Sequence, residues 1–214
     1  MKKSLILSFC LLCAFGLKAQ IEKGSFITGL GSQIGLLGAG NNSIGFGTWT
    51  INYKSDHPDF DEPDPDKLLT IYLSPRLGYF IIDNLVVGAN VNYSYQKEEI
   101  PDLATFRRNS YTIGPFVRYY YPLERFWPFA EVGIGFGAIN ENANLETADD
   151  EVTRSSVFAF NLATGMAFPL NEKSNLDLGL SYSRSTIKIT DDNPFNYRSV
   201  VGGINLQLGL SIFL

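Results

Sequence analysis

The sequence has 214 residues, enough for one or two domains, with 22 acidic against 17 basic side chains and a single histidine. That acidic balance excludes nucleic acid as a partner, because its phosphates require clustered cations. Both cysteines, Cys10 and Cys13, fall in the leading apolar segment, so the chain beyond it has no disulfide, thiolate metal site or cysteine nucleophile.

Met1, Lys2 and Lys3 form a basic start, Ser4 to Leu17 an apolar run, and Ala19 a small residue before Gln20. This is the pattern of a secretory signal peptide at 1–19, which leaves 20–214 as the mature domain. Without Lys2, Lys3 and Lys18 the mature chain carries 14 basic and 22 acidic residues, a formal charge of −8. No later apolar run approaches the ~20 residues of a spanning helix. A membrane crossing must then use a closed β-barrel, the other structure that satisfies every backbone N–H and C=O in lipid.

Two glycine-rich short strands are expected at 25–36 and 43–53, around Gly40-Asn41-Asn42, of which one crosses the membrane. The stretch Asp56 to Asp66, rich in proline and acids, cannot bury a core and is expected to stay solvated. The hairpin Ser74 to Lys97 then shows the pattern that recurs down the chain. Leu85, Val87, Ala89, Val91, Tyr93 and Tyr95 alternate with Val86, Gly88, Asn90, Asn92, Ser94 and Gln96, which places apolar and polar residues on opposite strand faces. Its first arm alternates Leu69, Ile71, Leu73, Leu77 and Tyr79 with Thr70, Tyr72, Ser74, Arg76 and Gly78. Similar alternation follows at Tyr111 to Tyr121, Pro128 to Ala138, Phe158 to Phe168, Leu176 to Tyr182 and Ile204 to Leu214.

Connections alternate in length. Those at 81–84, 122–126 and 169–174 are short, while those at 54–67, 98–108, 140–153 and 190–197 are longer and polar. Aromatic residues of the apolar face gather at both strand ends: Tyr79, Tyr119, Tyr121 and Phe168 near short turns, Tyr93, Tyr95, Tyr111, Phe136, Phe158 and Tyr182 toward long loops. Two aromatic girdles around an aliphatic band match two water–lipid interfaces. Counting back from Leu214 gives seven strands and one from the glycine-rich start, hence an all-β, eight-stranded, antiparallel up-and-down transmembrane barrel. The short strand near Trp49 is expected to extend the first long loop as a hairpin above the membrane.

Charges on the inward face are few: Arg76, Arg118, Glu131 and Asp177, all near the short turns. Centring the hairpin between Glu124 and Arg125 sets Arg118 opposite Glu131, which suggests an interior ion-pair layer closing the lumen. His57 lies in the acidic stretch, where a solvated role is the plainest reading and general-base work the sharper one. Asp59, Asp61, Glu62, Asp64 and Asp66 offer oxygen ligands to a cation, without EF-hand spacing or its glycine. No phosphate-binding loop, serine elbow or HExxH motif occurs, and no cofactor is expected.

The stretches Pro75-Arg76-Leu77-Gly78-Tyr79-Phe80-Ile81-Ile82-Asp83-Asn84-Leu85 and Gly114-Pro115-Phe116-Val117-Arg118-Tyr119-Tyr120 resemble the hairpin and strand of small OmpA/OmpX-like barrels common in Bacteroidetes. The C-terminal strand, ending Phe213-Leu214, resembles the signal read by the barrel-assembly machinery. The resemblance implies the outer membrane of a Gram-negative bacterium, with outer-membrane lipid, lipopolysaccharide and that machinery as partners of a monomer. It assigns no single activity. The reading is a non-enzymatic structural or surface-contact protein acting through acidic loops, with a narrow pore, a ligand-binding barrel or a lipid A-modifying enzyme as alternatives.

Overall fold

A computed structural model describes residues 22–38, 46–51, 64–101, 103–145, 151–190 and 196–214. The expected signal peptide lies outside these residues, as do His57, Asp59, Asp61 and Glu62. The described chain has nine strands: β1 Phe26–Gly38, β2 Phe46–Ile51, β3 Asp66–Ile82, β4 Leu85–Ile100, β5 Ala104–Tyr120, β6 Trp127–Leu145, β7 Glu151–Asn171, β8 Ser174–Ile189 and β9 Arg198–Phe213. Each neighbouring pair is antiparallel. β1 pairs with both β9 and β3, so eight strands close into a barrel, with β2 as an addition to β3.

The glycine-rich start is thereby resolved. β1 closes the ring from Phe26↔Tyr79 to Gly31↔Ser74, and above that seam β2 takes over the same edge of β3, from Phe46↔Ile71 to Ile51↔Asp66. The first segment is a stave of the barrel wall, and the second pairs with the outer part of β3. At the other end, β3 and β4 are joined by Asp83 and Asn84, with Asn84 at φ 67°, a left-handed conformation that asparagine tolerates.

Two connections are shorter than the alternation of apolar residues suggests. β4 runs to Ile100 and β5 resumes at Ala104, while β6 runs to Leu145 and β7 starts at Glu151. The regions 98–108 and 140–153 are therefore mostly strand and not loop. Apolar alternation ends where lipid ends, but cross-strand hydrogen bonding needs only a partner, and pairs such as Arg107↔Asn142 and Asn109↔Asn140 continue the ladder into water.

The two faces are inverted relative to a water-soluble barrel. Leu77 (55% exposed), Ile113 (57%) and Leu162 (52%) point outward, whereas Arg118 (1%), Gln207 (2%) and Asn205 (3%) are enclosed. A wall of exposed aliphatic side chains around a polar interior is stable only with hydrocarbon outside. Aromatic pairs mark both ends of that wall, Phe26–Tyr79 at 5.0 Å between ring centroids and Phe136–Phe158 at 5.2 Å. Placing a charge on this wall at Leu180, by Leu180→Arg, is expected to cost about 2–4 kcal/mol in urea unfolding from lipid vesicles, whereas Ser185→Arg on the lumen side costs far less.

Inward glycines seat large rings. Gly165 and Gly179 face each other across β7 and β8, and a Cβ on Gly165 would stand 2.8 Å from Phe129 Cζ and 2.6 Å from Gly179 Cα. Neither strand can yield without losing ladder bonds. Gly165→Ala is expected to lower stability by about 1–3 kcal/mol, read as a lower temperature at which the folded form is lost in heat-modifiable gel migration.

Candidate functional site

The lumen is organised in three tiers. The lowest, beside the short turns, is apolar: Ile27, Phe80, Val86, Phe116, Tyr120, Phe129, Ala167 and Phe213 pack together, with Trp127 against them. Tyr120 is central, with ring centroids 6.2 to 6.4 Å from Phe129, Phe80 and Trp127. Phe213 points into this layer, 3% exposed, so the outward last residue is Leu214, 71% exposed.

Above it lie the four charged residues expected from sequence, brought into one connected network. Arg118 sits opposite Glu131 in the β5–β6 register. Its Nε donates to Glu131 Oε2 at 2.6 Å and its Nη1 to Asp177 Oδ2 at 2.5 Å and to the Tyr120 hydroxyl at 3.0 Å. Arg76 Nη1 donates to the same Glu131 oxygen at 3.0 Å, and Ser211 Oγ donates to Asp177 Oδ2 at 2.9 Å. The Arg118 guanidinium also lies 4.2 Å from the centre of the Phe129 ring, so the charged tier rests on the aromatic one through a cation–π contact. Two guanidinium groups face two carboxylates, which is how four charges can share a site out of water.

Arg118 bridges Glu131 and Asp177, so each carboxylate is paired with a guanidinium. Ser211, Tyr120 and the whole aromatic tier were not singled out from sequence, although the signal was present: Phe80, Phe116, Tyr120, Phe129 and Phe213 break the small-polar face only near short turns.

The third tier is a cavity of about 590 Å³ above the charged network, floored by Arg76, Glu131 and Gln207 and lined by serine, threonine and asparagine together with an apolar strip of Ile139, Val157, Ile187, Ile189 and Val201 from β6 to β9. Part of its wall is an internal polar network. Ser74 Oγ and the Tyr72 hydroxyl both donate to Asn92 Oδ1, at 2.7 and 3.1 Å, and Asn92 Nδ2 donates to Thr112 Oγ1 at 3.1 Å. Near the mouth an Arg108–Glu141 ion pair bridges β5 and β6. Of the acidic stretch, Asp64 is exposed and Asp66 is buried at the start of β3. Among the described residues, no group of three or more His, Cys, Asp or Glu side chains could hold a metal ion.

The model of the outer membrane protein beta-barrel domain matches residues 8–211. The chain belongs to this outer-membrane barrel family. Its location is therefore the outer membrane. No curated protein matches the sequence. Solved structures of similar outline include the N-terminal β-barrel domain of Pseudomonas aeruginosa OprF, 12% identical over 90% of this chain and 99% of that one, TM-score 0.40. Neisserial surface protein A is 15% identical over 89% and 97%, TM-score 0.42. The attachment invasion locus protein Ail of Yersinia pestis is 15% identical over 90% and 99%, TM-score 0.43.

In this outer-membrane barrel, Glu131 accepts from both arginines, so truncating it leaves two enclosed cations short of a partner. Glu131→Ala is expected to destabilise the folded barrel by about 3–5 kcal/mol. Glu131→Gln, which keeps the volume and one acceptor, should lose less in the same urea titration.

Proposed function

We propose that this chain is a non-enzymatic outer-membrane barrel that does not conduct, serving envelope structure or surface contact through its outer face and acidic loops. One observation carries this reading: two stacked closures, the Arg76–Glu131–Arg118–Asp177 network and the aromatic tier around Tyr120, fill the lumen on the short-turn side. An eight-stranded barrel is wide enough for side chains to fill it, and a path for ions would have to break both tiers. The hairpin motifs further align it with the small barrels common in Bacteroidetes.

The described parts left for contact are on the outer side, namely the extended β4–β5 and β6–β7 strands and the cavity, and we assign the same role to the acidic stretch 56–66. That cavity, polar on one side and apolar on the other, supports a second reading, in which the same closed barrel receives a small molecule from outside. Neither reading requires chemistry at His57. His57→Ala is accordingly expected to leave the mass of lipid A from expressing cells equal to that of cells making the unaltered chain.

Planar-bilayer recording tests the closure. The unaltered protein is expected to give no steady unitary current, and the combined change Arg118→Ala with Phe129→Ala, which trims both tiers, is expected to open one. Steady current through the unaltered protein, together with an unchanged melting temperature for Arg118→Ala, would remove the basis of the non-conducting reading.

A further inference from the structure

The outward face changes character above the upper aromatic girdle. On β7 to β9 the outward positions beyond Phe158, Tyr182 and Ile204 include Arg154, Arg184, Lys188 and Arg198, all exposed. Arg184 is the first outward position past Tyr182. Lys188 stands directly opposite Arg198 in the β8–β9 register, and Ser156, two residues from Arg154, stands opposite Lys188. Among the described residues, outward positions 152–170 of β7 and those of β8 and β9 carry no acid, and none of these four cations makes an ion pair.

Like charges placed directly opposite across strands weaken a sheet, so such a pair is retained at a cost to folding unless an anion from outside answers it. The other basic group on the outer wall shows what an internal answer looks like. Lys67, Lys97 and Arg107 surround Glu99: Lys67 is its register partner and Lys97 hydrogen-bonds to it. Lys97 holds the Glu99 carboxyl below its ordinary value, by that hydrogen bond first and by charge second. The β7–β9 group has no such outward acid.

We infer that Arg154, Arg184, Lys188 and Arg198 form a docking patch for the phosphate groups of an anionic glycolipid in the outer leaflet, of the lipid A type. The mature chain carries a formal charge of −8, so a patch of four cations does not follow from composition. Its place on the lipid-facing side, directly beyond an aromatic girdle, is the level of lipid headgroups and not that of a soluble ligand in the lumen. Exposed cations at that level attract anionic headgroups, and the attraction weakens as salt screens it.

The test uses the full mature protein refolded in detergent, with bound lipid counted by native mass spectrometry. Diphosphoryl lipid A is expected to bind roughly tenfold more tightly than the same lipid stripped of phosphate, a preference that falls in high salt. The fourfold variant Arg154→Gln, Arg184→Gln, Lys188→Gln, Arg198→Gln is expected to lose it, while Lys97→Gln with Arg107→Gln keeps most of it. Heat-modifiable migration reports that each variant is folded, and the comparison of the two lipids on the unaltered protein stands without any variant. Equal binding of both lipids overturns the inference. So does an unchanged preference in the fourfold variant, which would place the phosphate contacts on other cations of the chain. Inorganic polyphosphate binding as tightly as lipid A would assign the patch to a soluble polyanion and overturn the lipid assignment.

Discussion

A backbone in hydrocarbon has no solvent to bond with, and each unmatched N–H or C=O there costs several kcal/mol by the usual measure of roughly 2–7 per group. Closure of the sheet is the constraint from which the other features follow. It forces β1 to meet both β9 and β3. It fixes one face of every strand against lipid and the other inside, and it makes the interior a narrow tube whose contents must be chosen residue by residue. The inward glycines belong to that choice: Phe129 lies over the next two strands at Gly165 and Gly179, and Phe116 over the two before it at Gly88 and Gly78, because no larger side chain leaves room.

Within the tube the polar and apolar tiers support each other. A guanidinium enclosed at 1% exposure is tolerable because Arg118 is matched by two carboxylates, a hydroxyl and a ring face at once. The aromatic tier in turn excludes water from that network on the short-turn side, which strengthens each ion pair and raises the penalty for removing one member. Closure of the lumen and cohesion between β3, β5, β6 and β8 therefore rest on the same four side chains.

Much of this was legible in the sequence because lipid imposes a strict period. The faces of β3 to β6 could be read directly, and the Arg118–Glu131 register followed from the length of a single short turn. What escaped had physical causes. The outward positions Asn140, Asn142 and Asn144 are all polar, so no apolar alternation distinguishes this ladder standing in water from a loop. The start of the chain offered two glycine-rich candidates, and only pairing with β9 separates a barrel stave from the short strand β2. Phe80 and Phe129 sit on the face otherwise given to serine and glycine. Each taken alone is a lapse in a pattern, and their meeting depends on strands far apart in the chain.

The seam between β1 and β3 has six register pairs, from Phe26↔Tyr79 to Gly31↔Ser74, before β2 takes over the edge. The other partner of β1 is the last strand, with Ile27 set against Phe213. Apart from the β1–β3 seam, which skips over β2, every other wall contact joins strands consecutive in sequence, but this one joins the first strand to the last. Loop-closure entropy weighs most on this pairing, which spans the longest stretch of chain in the barrel. The wall is thus sealed only where β1 meets β9, and a chain without β9 would leave β1 and β8 each with an open edge.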